Sequence, residues 1–243
     1  MRRIWKKHVQ EVDLDNVYVW QWPVRITHWM TALSLWILSL TGLYMGYPFL
    51  IASGQASEHF LMGTAKLIHF YAAIAFTLSV LSRILWMFMG NWYSRWHRFI
   101  PVDRRRWWAM GKTLRYYLFG LRMPPGFVGH NPLAGLTYFF VFIAFLVQIA
   151  TGLGMYAASA HVDSPFRAFG FLVPVVGGLA TAHWIHHITM WLLWMFIVHH
   201  VYSAILMSQV EATGTVESIF SGHKFVPRED IVQPGYRLAH PEA

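Results

Sequence analysis

Long apolar runs, rather than alternation, set the pattern of this chain. Four segments, 29–48, 67–89, 133–156 and 183–208, are almost unbroken in apolar residues. Each meets the roughly 20 helical residues needed to cross about 30 Å of hydrocarbon. Helices apolar on every side need lipid or other helices all around them. The pattern therefore predicts an all-α fold, an integral membrane four-helix bundle. A fifth stretch, 166–180, is moderately apolar but carries Pro174 and the Gly177-Gly178 pair, which predicts an interfacial or loop segment. The organisation that follows is an N-terminal segment over 1–27, a membrane domain over 28–208 and a tail over 209–243. No internal repeat or low-complexity tract stands out.

Composition agrees with lipid as the solvent. Hydrophobic residues make up 56% of the 243 positions and charged residues only 12%, a balance outside the range of ordinary soluble domains. The thirteen Trp and eleven Tyr crowd the edges of the apolar runs, where amphipathic rings favour the headgroup region. A net charge of +8 would suit nucleic acid, but the basic residues flank the apolar runs and so read as topological. Residues 1–27 hold five Lys and Arg and 92–132 hold eight, against one each in 49–66 and 157–182. Both termini and the middle loop are therefore expected in the cytoplasm. The 95–122 loop, with its WHRF, RRRWW and LRYYLFG stretches, reads either as an amphipathic surface helix or as simple topogenic charge. The opening MRRIWKK meets no apolar stretch until about Trp29 and shows no small-residue cleavage site, so the first helix is expected to stay in the mature protein. Cysteine is absent, which excludes disulfides, thiolate-held iron–sulfur clusters and covalent c-type haem.

Ionisable side chains inside membrane spans are costly and tend to mark function. The fourth span contains His183, His186, His187, His199 and His200. His186 and His200 are fourteen residues apart, which leaves them within about 40° of one face and about 21 Å apart along the axis. His187 with His200, or His186 with His199, falls about 140° out of phase. One face thus carries a histidine near each side of the hydrocarbon, the spacing two stacked haems would use. Each low-spin b haem takes a second imidazole. His28 opens the first span at the inner side, level with His200, and His69 opens the second at the outer side, level with His186. These pairings predict two b haems, the inner one held by His28 and His200 and the outer one by His69 and His186.

The fourteen-residue offset recurs on the other ligand helices. From His28 it reaches Gly42, which either leaves room for the outer porphyrin or packs helices through Gly42-x-x-x-Gly46. From His69 it reaches Arg83, which either pairs with an inner-haem propionate or snorkels to the interface. Polar glue between helices is the competing use of the four histidines. His183, His187 and His199 are expected not to ligate, with His187 or His199 able to replace its neighbour if the helix is locally distorted. Gln148 and Thr151, on one turn of the third span, are expected to serve packing or to bond the edge of the outer haem.

With these residues in view, the chain resembles the b-type cytochrome subunit of membrane-bound nickel–iron hydrogenases. The matching stretches are Val17-Tyr18-Val19, PVRITHW (23–29), FLMG (60–63), the segment from His69 to Arg83 ending in GN (90–91), GHNPLA (129–134), TGLGMY (151–156), HWIHHITMW (183–191) and VHHVYSAI (198–205). The resemblance implies a bacterial or archaeal cytoplasmic membrane. It also implies a hydrogenase small subunit with iron–sulfur clusters and a C-terminal membrane helix, a large subunit reached through it, and electron flow through two b haems to quinone. Its motif histidines fall on His28, His69, His186 and His200. The chain departs from it after the fourth span, where ILMSQVEA (205–212) replaces a more charged sequence.

A quinone site needs an apolar slot near an interface and groups that bond the carbonyls. His130 and Asn131, at the cytoplasmic start of the third span, supply the polar groups. Asn131 equally suits a helix cap with Pro132 at the first helical position. Two other functions fit parts of the sequence. One is the same dihaem cytochrome serving a formate dehydrogenase or thiosulfate reductase. The other is a membrane di-iron desaturase or hydroxylase, suggested by the H-x-x-H-H form of His183 to His187 but lacking the further boxes such a site needs.

Overall fold

A computed structural model of the chain describes residues 14–50, 54–55, 59–102, 104–120 and 125–227. MRRIWKK, Arg122 and the tail beyond 227 lie outside the described residues. In order, the elements are β1 (Leu14–Tyr18), α1 (Trp22–Gly46), α2 (Leu61–Met89), α3 (Arg104–Tyr117), α4 (Pro132–Ser159), α5 (Leu172–Val175), α6 (Leu179–Glu211), α7 (Ser218–Ser221) and β2 (His223–Pro227). The described residues are mostly helical. Four helices, α1, α2, α4 and α6, are long and apolar enough to cross a membrane.

All four expected spans are present, and each helix begins before its apolar run. The first begins at Trp22 rather than 29, because Pro23 in its first turn is compatible with helix there and Arg25 is anchored, its Nη1 donating to Ser221 O at 2.8 Å. It ends at Gly46, two residues short of Pro48, which disfavours helix in the residue before it. The second starts at Leu61, since Phe60 O already accepts from Thr64 N at 2.8 Å. In consequence His28 and His69 do not open their helices. His28 is nearly two turns into α1, and His69 and His186 are about two turns into α2 and α6. The fifth apolar stretch is a 3-10 turn, Pro165–Phe171, followed by α5. The chain then reverses through Gly177 and Gly178, with φ of 93° and 106°, before α6 begins. Of the 95–122 loop, the described part forms a 3-10 turn at Trp96–Arg98 and then α3. α3 is amphipathic, but its buried face is Arg106, Ala109 and Thr113 rather than an apolar stripe, while Trp107 and Trp108 are exposed.

The chain divides into two compact units. One comprises 1–25, 86–140 and 199–243. Here β1 pairs antiparallel with β2, Leu14 opposite Pro227 and Tyr18 opposite His223. Val19, Trp20, Val24, Tyr93, Val128 and Val226 form its core. Polar contacts close it: Trp20 Nε1 donates to Ser218 Oγ at 3.0 Å, and Gln21 Oε1 accepts from Trp86 Nε1 at 3.0 Å and Asn91 N at 2.8 Å. Lys224 is buried with its Nζ 3.6 Å from Glu211 Oε2. That burial pulls its ammonium below the ordinary lysine range. The sheet joins the segments that flank α1 and α6 in the chain.

Gly222, which turns α7 into β2, has φ 88°. A Cβ there would meet Tyr18 Cε2 at 2.6 Å, and Arg25 Nη1 and Trp20 O at 2.8 Å. Gly222→Ala is therefore expected to cost about 1–2 kcal/mol for the left-handed backbone alone, with overpacking in addition. Thermal denaturation in detergent measures that loss.

The other unit, 26–85 with 141–198, contains most of the four long helices. They meet around Leu35, Phe76, Val80, Phe145 and Leu193, at least one residue from each helix. α1 and α2 are also joined by hydroxyls, Thr31 Oγ1 to Ser79 Oγ at 2.8 Å, with Ser79 Oγ donating to Thr27 O at 2.8 Å. Leu33, Leu40, Leu78, Leu85, Trp184 and Met195 point outward, the disposition lipid favours.

Candidate functional site

Within the second unit, α1 and α2 bring Thr41 to His69, and α4 and α6 bring Thr151 to His186. Thr41 Oγ1 lies 2.8 Å from His69 Nδ1 and donates to Ile37 O at 2.7 Å. Thr151 Oγ1 lies 2.8 Å from His186 Nδ1 and donates to Val147 O at 2.7 Å. Glycines follow both threonines. A Cβ on Gly42 would stand 3.4 Å from His69 Cε1, and one on Gly152 would stand 3.3 Å from His186 Cε1. The space Gly42 leaves is thus taken by the His69 imidazole, while Gly46 faces nothing within 4 Å. His69 and His186 are also within electrostatic reach of each other. Phe70 and Tyr156 stack with centroids 4.7 Å apart, and Phe166 meets both edge-on.

Neighbouring histidines of α6 are used differently. His187 is exposed and its Nε2 accepts from Trp191 Nε1 at 3.2 Å, one turn along the same helix. His199 is exposed and its Nε2 meets Ser203 Oγ at 3.3 Å. His183 is exposed as well. The H-x-x-H-H box is therefore split across faces of α6. Among the described residues no group of three or more His, Cys, Asp or Glu could hold a bare metal ion.

In the first unit, His200 Nδ1 is 3.2 Å from the Tyr138 hydroxyl. Tyr138 packs on His130 with centroids 4.6 Å apart, and Trp20 covers the same imidazole at 4.6 Å. His130, Tyr138 and His200 thus form one contiguous aromatic and hydrogen-bonded series. Asn131 is the cap of α4, its Oδ1 accepting from Ala134 N at 2.8 Å, with Pro132 first in the helix. His28 is half-buried on α1 and Arg83 is 9% exposed on α2.

Sequence reasoning misses one side chain of this arrangement and undervalues another. It gives Thr41 no role and Thr151 only packing or a haem edge, yet each meets a histidine. A signal for them is present: Thr-Gly-Leu-x-Met occurs at 41–45 and again at 151–155. A short repeat does exist, too brief to register beside the apolar runs.

Four membrane-length helices, two of which, α2 and α6, carry imidazoles whose Nδ1 meets a hydroxyl of another helix, define a helical membrane protein. The chain belongs to the prokaryotic cytochrome b561 family, whose model matches residues 19–222. It is 38% identical over 215 residues to a Cupriavidus necator protein named "Probable Ni/Fe-hydrogenase B-type cytochrome subunit", covering 87% of this chain and 88% of that one. It is also 38% identical over 221 residues to the Escherichia coli K12 "Probable Ni/Fe-hydrogenase 1 B-type cytochrome subunit", covering 87% and 94%. An Azotobacter vinelandii relative is 35% identical over 209 residues, covering 85% and 87%.

A b-type cytochrome family implies haem b, and the residues around His69 and His186 fit it. Their Nδ1 atoms meet threonine hydroxyls, and the main chain of Leu38 and of Gln148 also bonds the His69 and His186 imidazoles. Glycines keep side-chain bulk off both rings. The buried Oε1 of Gln148, beside Thr151, has no hydrogen-bond partner among the described residues, an orphan that a packed helix pair alone would not favour.

Proposed function

We propose that this chain carries electrons from a nickel–iron hydrogenase on the outer face to quinone at the inner face, through two b haems. In this reading His69 and His186 are the axial ligands on the outer side, and His28 and His200 those on the inner side. Bound haem supplies a one-electron carrier; the chain supplies ligands, spacing and insulation. The observation that carries the reading is the division of labour among the histidines. His69, His186 and His200 each commit Nδ1 to a hydroxyl, which leaves Nε2 as the nitrogen for iron. His187 and His199 commit Nε2 within their own helix.

The fourteen-residue separation of His186 and His200 spaces the two carriers at about 21 Å along α6. The surrounding spans exclude water from the path. In this reading Arg83, buried on α2, balances a propionate of the inner haem. The basic flanks and middle loop put residues 1–27, 92–132 and the C-terminal tail in the cytoplasm of a bacterial or archaeal cell, so the donor docks at the opposite face. Partner identity rests on the relatives, whose names attach them to nickel–iron hydrogenases. The small subunit, with its iron–sulfur clusters and C-terminal membrane helix, is the contact, and it links the large subunit to this chain.

Quinone reduction takes place beside His130. Its imidazole, packed edge-on against Tyr138, which in turn bonds His200, offers a proton to a quinone carbonyl next to the inner haem. The test uses the complex with its hydrogenase. Hydrogen should reduce two b haems per chain and drive quinone reduction. In His130→Ala the hydrogen-reduced haem spectrum should persist while quinone reduction falls by about a hundredfold. Unchanged quinone reduction by that variant would remove His130 from the site, and a single reducible haem would remove the two-haem path.

A further inference from the structure

Thr41 and Thr151 occupy matching positions. Each hydroxyl is 2.7 Å from the carbonyl four residues earlier and 2.8 Å from a histidine Nδ1 on another helix. A threonine hydroxyl has one hydrogen and two lone pairs. The short carbonyl contact takes the hydrogen, so towards the imidazole the oxygen accepts and Nδ1 carries the proton. The neutral ring then keeps its lone pair on Nε2. The following glycine fixes how near the same ring approaches, since a Cβ at Gly42 or Gly152 would fall 3.4 or 3.3 Å from Cε1. The main chain of Leu38 and of Gln148 also bonds these imidazoles, so the threonine hydroxyl shares the rotation and tautomer with a carbonyl of its own helix, and the glycine limits the distance.

The two seats are copies. Thr41-Gly42 and Thr151-Gly152 are offset by 110 residues, and His69 and His186 by 117. Applying the same offsets fourteen residues away gives Tyr138 as the counterpart of His28, and His200 as the counterpart of Arg83. The α1–α2 and α4–α6 hairpins thus keep histidine in both copies only at the His69 and His186 level. At the other level the copies have diverged, His28 and Arg83 in one, Tyr138 and His200 in the other.

We propose that Thr41 and Thr151 are paired positioning residues that hold His69 and His186 in the Nε2-ligating tautomer with equal strength. Together they set the affinity and reduction potential of the haem these histidines share. The proposal rests on the reading above that the two histidines ligate one haem. Accepting from Nδ1–H makes an imidazole a stronger donor at Nε2, which favours ferric iron and lowers the potential. Because the seats match, the two contributions should be alike in sign and size.

The experiment is a spectroelectrochemical titration of the purified full chain with haem content measured alongside, on Thr41→Val, Thr151→Val, the double variant and both serine variants. Valine removes the hydroxyl at nearly constant volume; serine keeps it. The expected result is a positive shift in each valine variant, on the same haem, roughly summed in the double variant, with the other haem unmoved. Haem affinity at that site should fall by about 10–100-fold, and serine should restore both properties. Loss of one haem with valine but not with serine is the same outcome at the level of affinity. Unmoved potentials, or serine acting like valine, would overturn the hydroxyl role and leave the ligands standing. Valine variants that move two different haems would instead overturn the shared site.

Discussion

On the proposed two-haem path to quinone, His186→Ala should yield a protein with one b haem instead of two and no hydrogen-driven quinone reduction, while His187→Ala keeps both haems and near-normal activity. The two residues are adjacent in sequence and differ by about 100° around α6. That rotation decides everything. His186 is turned inward, its Nδ1 on Thr151 at 2.8 Å and its ring against Gly152. His187 is turned outward, exposed, with Nε2 accepting from Trp191. On the proposed assignment, removing the inward ring leaves iron one bond short; removing the outward ring costs a surface hydrogen bond. Pyridine haemochromogen analysis per mole of chain counts the haems directly. Two haems in His186→Ala, or one in His187→Ala, would reverse the assignment.

The second large effect is expected at a residue that has no side chain. Gly152→Leu should remove one haem as completely as loss of the ligand. The first added carbon would stand 3.3 Å from His186 Cε1, already tighter than a comfortable contact, and the rest of the leucine would occupy the imidazole itself. Gly42→Leu should do the same through His69, whose Cε1 would lie 3.4 Å from the new Cβ. Gly46→Leu is the control: it lies one turn from Gly42 on α1, and nothing approaches within 4 Å. Its haem content should be normal. If Gly46→Leu loses haem while Gly42→Leu does not, the glycines serve contacts between helices or with a partner rather than the ring.

Much of the membrane architecture is legible in the sequence because its signals are long and redundant. Twenty or so apolar residues in a row announce a span without help from the rest of the chain, and all four appear. Helical phase alone also separates His186 from His187 and His200 from His199, in agreement with their burial and hydrogen bonds. What is not legible depends on partners distant in sequence. The early start of α1 follows from Arg25 reaching Ser221, a bond 196 residues long in sequence. The β1–β2 pair joins five-residue strands from the two ends of the chain, where basic charge by itself speaks only of topology. Thr41 and Thr151 look like ordinary polar residues in apolar helices, because a hydroxyl serving its own helix and one serving a neighbour's imidazole leave the same letter. Asn131 has two uses on paper, and the backbone amide of Ala134 takes its side-chain oxygen for the cap.

The β1–β2 clasp also orders events in time. Its strands, like Trp20 and Ser218, which bond across a separation of 198 positions, are made before the first and after the last of the four long helices. Leu14–Tyr18 is made before any of the spans and must wait, its backbone groups satisfied by water, until the last span has been inserted and His223–Pro227 has emerged. Closure therefore reports that all four crossings are finished. A chain that stops before His223–Pro227, or threads its last span the wrong way, leaves an open strand edge, the kind of surface that proteases and chaperones bind.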